Sequence, residues 1–166
     1  MKFKTFYKLF YMHRLKKASS LLKLYLYIVL PMRFFLNIFF FPKKIDLDLL
    51  ERSSSNLYKE NLNFLFEYFN SDKGEYFVDQ YMQPIKKSYQ KIPAHGYSKF
   101  YEKFFFAKKE KQCNILELGS FYGNASASLF FYFKYSKIYT GDIYPDLFRY
   151  KSKRINNFFI DTSSED

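Results

Sequence analysis

The clearest pattern of apolar and polar positions in this chain runs from Asn114 to Asp142, NILELGSFYGNASASLFFYFKYSKIYTGD. Asn114–Leu118 is a short apolar run of the length that a strand buried in a parallel sheet needs. Gly119 and Gly123 then bracket a tight turn, because residues without side chains let the backbone bend sharply and come close to a ligand. A helix is predicted from near Asn124, with Ala125, Leu129 and Phe133 recurring on one face. Lys137–Asp142 resumes strand character and finishes on a carboxylate. Together these make half of a nucleotide-binding α/β fold, whose ligands sit off the carboxyl ends of the strands.

Upstream the pattern is helical. Leu62, Leu65, Phe66 and Phe69 make an apolar stripe on a predicted helix Leu57–Phe69, with Ser53-Ser54-Ser55-Asn56 as its N-cap. Pro42–Ser55 reads as a linker leading into it. Asn70–Gly74 is a turn by composition. Tyr76–Pro93 mixes signals, with Pro84 and Pro93 limiting any helix, and a further helix is expected at Ser98–Phe106. Lys108–Lys111 is a solvated, charged connection to the strand that follows. The chain therefore divides into 1–44, 45–112 and 113–166.

Charge changes the picture at the N-terminus. The net charge is +11, yet residues 1–44 hold ten Lys or Arg and no Asp or Glu. Leu21–Phe41 is nearly long enough to span a bilayer. Lys23, Pro31, Arg33 and Asn37 interrupt it, and a charge at the centre of a spanning helix costs about 2.5–3.5 kcal/mol. No small-residue cleavage site follows, so a secretory signal fits less well. Residues 1–44 are expected to lie on an anionic membrane surface, with Phe and Leu inserted and Lys and Arg facing headgroups. The alternative is a helical arm packed on its own domain or on a second copy in a homo-oligomer. No nucleic-acid partner is expected, since no recognised binding motif accompanies the basic residues.

Composition adds little. Aromatic residues make up 24% of the chain, but the Lys, Asn, Phe and Tyr excess is also what an AT-rich genome produces. Cys113 is the single cysteine, which excludes an internal disulfide framework and a cysteine metal cluster. A reducing, cytoplasmic setting fits, with the arm peripheral at the inner membrane.

The turn carries the candidate chemistry. Glu117-Leu118-Gly119 followed by Gly123 spells E-x-G-x-x-x-G rather than the dinucleotide fingerprint G-x-G-x-x-G. Such a looser loop suits a ligand with no pyrophosphate to seat on the helix terminus. A cationic nucleoside such as S-adenosylmethionine fits an acid near the turn and another on the ribose. A dinucleotide site and a ligand-free turn stay open as alternatives. His95 is a candidate general base for an acceptor hydroxyl, against a structural role in a turn. Tyr97 and Tyr101 either pack on the sheet or line the pocket. Asp72 and Lys73, taken alone, read as solvated turn charges.

Asn114–Asp142 resembles motif I of the class I S-adenosylmethionine-dependent methyltransferases. Ser71-Asp72-Lys73-Gly74, His95-Gly96-Tyr97 and Tyr101-Glu102 resemble the DKG…HGY…YE signature that precedes motif I in sugar O-methyltransferases of the macrocin and mycinamicin group. The similarity runs from about Phe66 onward, and Glu75–Ala94 is longer than that pattern expects. The resemblance implies a Rossmann-like methyltransferase fold behind an N-terminal helical region. It also implies methyl transfer to a hydroxyl of a sugar, glycan or glycosylated natural product. It assigns donor binding to Glu117, Gly119, Ser120, Tyr122, Gly123 and Asp142. Glu117 would meet the ammonium and Asp142 the ribose hydroxyls. Asp161, in Phe158–Ser163 (FFIDTS), corresponds to the third-strand acid that meets the adenine amino group. Asp72, Lys73 and Tyr97 would line the substrate pocket, with His95 as base. The family's sheet has about seven strands, of which three are legible here, so the chain reads as truncated after the third strand. Magnesium, bound by some members, would need residues absent from this chain. The other readings are a noncatalytic membrane-associated or interaction protein built on the same half-fold, and a nucleotide-dependent oxidoreductase or epimerase.

Overall fold

The computed structural model describes residues 19–40, 44–78 and 91–162. Residues 1–18 and 41–43 of the predicted membrane-surface arm, the centre of Tyr76–Pro93 and the last four residues lie outside that set. The chain forms two compact units, 1–43 and 44–166.

In the first unit, helix α1, Ser20–Phe40, continues through Pro31 and exposes Leu21, Leu24, Tyr25, Ile28, Met32 and Phe35. Among the described residues, no helix is long and apolar enough to cross a membrane.

The second unit is mixed α/β. It opens with β1, Ile45–Asp46, and α2, Leu47–Ser53, where a linker was expected. Acids mark the helix start: Asp46 caps α2 by accepting from the Leu49 amide at 3.1 Å, and Asp48 lies in the first turn. The expected helix Leu57–Phe69 is also divided. Ser55–Lys59 is a 3-10 turn, and α3 spans Leu62–Tyr68. Asn61, not the serine run, caps α3 by accepting from the Phe64 amide at 2.8 Å. Glu102 accepts from the Leu62 amide at 2.7 Å. The predicted stripe holds, since Leu62, Leu65, Phe66 and Phe69 are all buried.

Strands β2, Tyr76–Phe77, and β3, Ile92–Pro93, pair antiparallel. Helix α4 spans Ser98–Phe105 and a 3-10 turn Phe106–Lys108 follows. Then come β4, Asn114–Leu118, α5, Asn124–Tyr132, and β5, Lys137–Asp142, with the bounds the sequence predicts for both strands and the helix start. A 3-10 turn at Pro145–Leu147 leads to β6, Tyr150–Lys151, which pairs parallel with β1, and to β7, Ile155–Phe159.

Strands β4, β5 and β7 form a parallel sheet in that order. About a dozen residues join β5 to β7, the least that a parallel crossover needs. The register aligns Ile115, Ile138 and Ile155 in one row of the covered face, and Glu117, Thr140 and Asn157 in the next. The covered face thus turns from apolar to polar toward the carboxyl ends, where Asp142 completes β5. On the other face Leu116, Leu118 and Phe158 are exposed.

Helix α5 is buried on every side, whereas the sequence pattern suggested one apolar face. Its small residues Ala125, Ser126, Ala127 and Ser128 allow close approach of neighbours. The Ser128 hydroxyl bonds the carbonyls of Leu65 and Asn124. Phe131 stacks on Phe69 at 5.6 Å, and Phe133 meets Phe105 edge-on at 5.3 Å. The helices of 45–112 and the sheet of 113–166 therefore share one core.

Candidate functional site

The site lies at the carboxyl ends of β4 and β5. Gly119 and Gly123 have φ of +76° and +81°, the left-handed region where a side chain is strained, and Phe121 between them has φ +46°. The loop is closed by Gly123 N–H donating to Ser120 O at 2.7 Å and held to β5 by Gly119 N–H donating to Gly141 O at 2.8 Å. The two glycines then differ. Among the described residues nothing lies within 4 Å of where a Cβ on Gly119 would sit, so backbone there is open to a ligand. A Cβ on Gly123 would strike the Phe148 ring at 2.3 Å, so its close approach is to the protein itself.

Asp142 is buried, and both its oxygens face the loop backbone. Oδ2 accepts from the Phe121 amide at 2.7 Å and Oδ1 from the Tyr144 amide at 2.8 Å. Each oxygen keeps a lone pair for a further donor. Glu117 is half-buried as a residue, but its carboxyl end turns inward and accepts from the Ser126 hydroxyl of α5. Desolvation pushes its pKa up to about 7, against the lowering effects of the Ser126 bond and the Lys73 charge, while Asp72 and Asp142 push it further up. Those charge effects put the Asp72-Lys73 loop within electrostatic range of the glycine turn. Ser120 is buried, and among the described residues its hydroxyl has no hydrogen-bond partner.

The DKG and HGY stretches form one structure. Backbone amides of Ala94, His95, Gly96 and Tyr97 donate to the carbonyls of Glu75, Asp72, Gly74 and Lys73 at 2.8–2.9 Å. Asp72 pairs with Lys73 at 3.1 Å and faces His95 Nε2 at 3.6 Å. The exposed His95 ring stacks on Tyr97, centroids 5.1 Å apart. Tyr101 packs into the core against Phe66 and Phe105. Tyr122 is half-buried with the Arg149 guanidinium over its ring at 3.5 Å. Burial raises its pKa, and Arg149 partly opposes this. Asp161 is exposed, two residues past the end of β7 and so at the same end of the sheet as Asp142. Ile160, beside it, donates to Asp142 O at 3.2 Å.

Two asparagines and a serine that hold the site together carry little signal in the sequence. Asn124 Nδ2 donates to Asn70 O at 2.9 Å and its Oδ1 accepts from Tyr150 at 3.2 Å, tying the DKG turn to the start of α5. Asn63 Oδ1 accepts from the Glu75 amide and the Ser98 hydroxyl at 2.9 and 3.1 Å. Ser126 holds Glu117. The only signal for Asn124 is its place immediately after Gly123, and Asn63, a half-buried polar position beside the apolar stripe, carries none.

Chemically, the site offers two carboxyl groups at adjacent strand ends, an open glycine, an orphan hydroxyl and an acid–histidine pair. Among the described residues no group of His, Cys, Asp or Glu is disposed to hold a metal ion. The chain matches no family model, no curated protein and no solved structure.

Proposed function

We propose that residues 44–166 bind S-adenosylmethionine through a Rossmann-like half-site, and that the protein serves methyl transfer to a hydroxyl of a sugar or glycan. The observation that carries this reading is the pair Glu117 and Asp142 flanking a left-handed glycine turn at the ends of adjacent parallel strands. Two acids and an open glycine suit a cationic, phosphate-free nucleoside better than a pyrophosphate, which acids would repel. The residues present fit such a group, since Gly119 leaves room for it and the buried Ser120 hydroxyl has, among the described residues, no partner, which the group would supply.

In this reading Glu117 meets the ammonium, Asp142 takes ribose hydroxyls on its remaining lone pairs, and Asp161 meets the adenine amino group. The donor, when bound, supplies an electrophilic methyl group. His95, oriented by Asp72, would take the acceptor's proton, and the zippered DKG–HGY loop would hold that base at a fixed distance from the turn. The acceptor class rests on the resemblance of Asp72-Lys73-Gly74, His95-Gly96-Tyr97 and Tyr101-Glu102 to the sugar O-methyltransferase signature. A cytoplasmic setting belongs to the same reading.

Isothermal titration of S-adenosylhomocysteine into the full chain tests it. Asp142→Ala should weaken binding by roughly 10- to 100-fold, the worth of charge-assisted hydrogen bonds to two hydroxyls. A folded protein that binds NAD and ignores S-adenosylhomocysteine would sink the proposal.

A further inference from the structure

Helix α4 carries two apolar sectors where a surface helix has one. Ser98, Tyr101 and Phe105 form the inward stripe, buried or packed against Phe66 and Phe133. Phe100 and Phe104 form a second stripe about 100° around the helix from it. Their ring centroids are 4.8 Å apart. They are 61% and 55% exposed, and Phe106 just beyond is 75% exposed. Lys99 and Lys103 follow one another along a third stripe, and Lys108 and Lys111 follow in the chain past the helix end; all four are exposed. Lys99 pairs with Glu75 at 2.9 Å, while among the described residues no ion pair engages Lys103, Lys108 or Lys111. Of the acids in this stretch, Glu102 is turned to the Leu62 amide, which leaves the exposed Glu110.

We propose that this face, Phe100, Phe104 and Phe106 bordered by Lys103, Lys108 and Lys111, is a contact surface for an anionic lipid bilayer. Rings on one sector with long cationic side chains beside them are what an interfacial helix presents, apolar groups entering the acyl boundary while ammonium groups stay at headgroup level. Charge decides the occupant. Two copies joined about a two-fold axis would set the same lysines against each other, whereas an anionic leaflet neutralises them. The proposal is separate from donor binding and from residues 1–44, since it concerns a face of the folded unit 44–166.

The chain has no tryptophan, so Phe104→Trp in the full-length protein places a single reporter on the face. Vesicles of phosphatidylcholine with about one-third phosphatidylglycerol should shift its emission to the blue, and lipids brominated on the acyl chain should quench it. Pure phosphatidylcholine should do neither. Reversing Lys103, Lys108 and Lys111 to Glu in the same background should raise the lipid needed for a half-maximal shift by about ten-fold or more. Phe100→Trp gives a second reporter with the same expected response. A reporter that keeps water-like emission overturns the proposal, whether or not the vesicles sediment the chain through another segment. So does a blue shift that depends on protein concentration without lipid, which assigns the face to a second copy.

Discussion

At the residue scale, Glu117 links the site to pH. Its folded-state pKa is raised to about 7 from 4.5, chiefly by desolvation. The groups acting on it are Ser126 from α5, Lys73 and Asp72 from the DKG turn, and Asp142 from β5. Below pH 4.5 the carboxyl is protonated in both folded and unfolded chains and contributes nothing to the pH dependence. Between 4.5 and 7 the unfolded chain ionises first, so folding stability falls as pH rises, by up to about 3 kcal/mol, and then levels off. Glu117→Gln should remove that slope, which urea titrations at a series of pH values would measure; a mutant with an unchanged slope would refute the assignment. The same proton gives the donor-binding proposal a second readout. A cationic ligand favours the ionised carboxylate, so S-adenosylmethionine should bind more tightly as pH rises toward 7 and should release a proton on binding. Titration calorimetry in two buffers of different ionisation enthalpy detects that proton, and Glu117→Gln should abolish it. Glu117 was visible in the sequence as an acid two residues before a glycine. Its protonation was not, because that depends on Ser126 and on a loop more than forty positions upstream.

At the element scale, the strand–turn–helix–strand unit was legible because its boundaries are local. Gly119 and Gly123 adopt the conformation that only glycine takes cheaply, and apolar runs of strand length flank the helix. The division of the segment at 45–69 was less legible: Asp46 and Asn61 cap their helices locally, but the Leu62 amide that opens α3 is met by Glu102, far along the chain. The C-terminus of α5 is another such case. Arg154, to which the sequence pattern assigns no role, donates Nη1 to the carbonyls of Phe133 and Ser136 at 3.0 and 3.1 Å. It donates Nη2 to Phe130 O and Tyr58 Oη at 3.2 and 3.1 Å, with its plane 3.7 Å from the Phe130 ring centroid. Tyr58 in turn donates to Glu51, which lies 3.7 Å from the guanidinium. Burial pulls the Arg154 pKa below its ordinary value, while Glu51 and Asp48 oppose this. One fork therefore ties the Phe130 carbonyl of the last turn to those of Phe133 and Ser136 just beyond the helix end. Arg154→Ala should destabilise by roughly 2–4 kcal/mol. Arg154→Lys should recover little, since an ammonium cannot span the same carbonyls. Urea denaturation measures both, and a lysine variant within about 0.5 kcal/mol of the parent would show that charge alone suffices.

At the scale of the whole 44–166 unit, the sheet is covered on one face only among the described residues. The row Ile115, Ile138 and Ile155 points into the core shared with α3 and α5, while Leu116, Leu118 and Phe158 point away from it. That asymmetry positions the site, because helix packing on one face turns Glu117 inward beneath Ser126 and leaves the carboxyl ends of β4 and β5 accessible beside the glycine turn. It also separates two leucine and isoleucine positions that composition cannot tell apart. Ile138 is fully buried, and Leu116 is 59% exposed on an adjacent strand. Threonine keeps the β-branched shape a strand favours, so replacement by Thr tests burial with little change in strand propensity. Ile138→Thr should cost roughly 2–4 kcal/mol, from lost apolar burial and a hydroxyl placed in the core. Leu116→Thr should change stability by about 0.5 kcal/mol or less. Equilibrium urea unfolding of the two variants compares the faces directly. Equal losses at both positions would mean that the outer face is packed as tightly as the inner one. The sheet would then be the middle of three layers, and the turn at Gly119 would have to be reached from the edge of β4 alone.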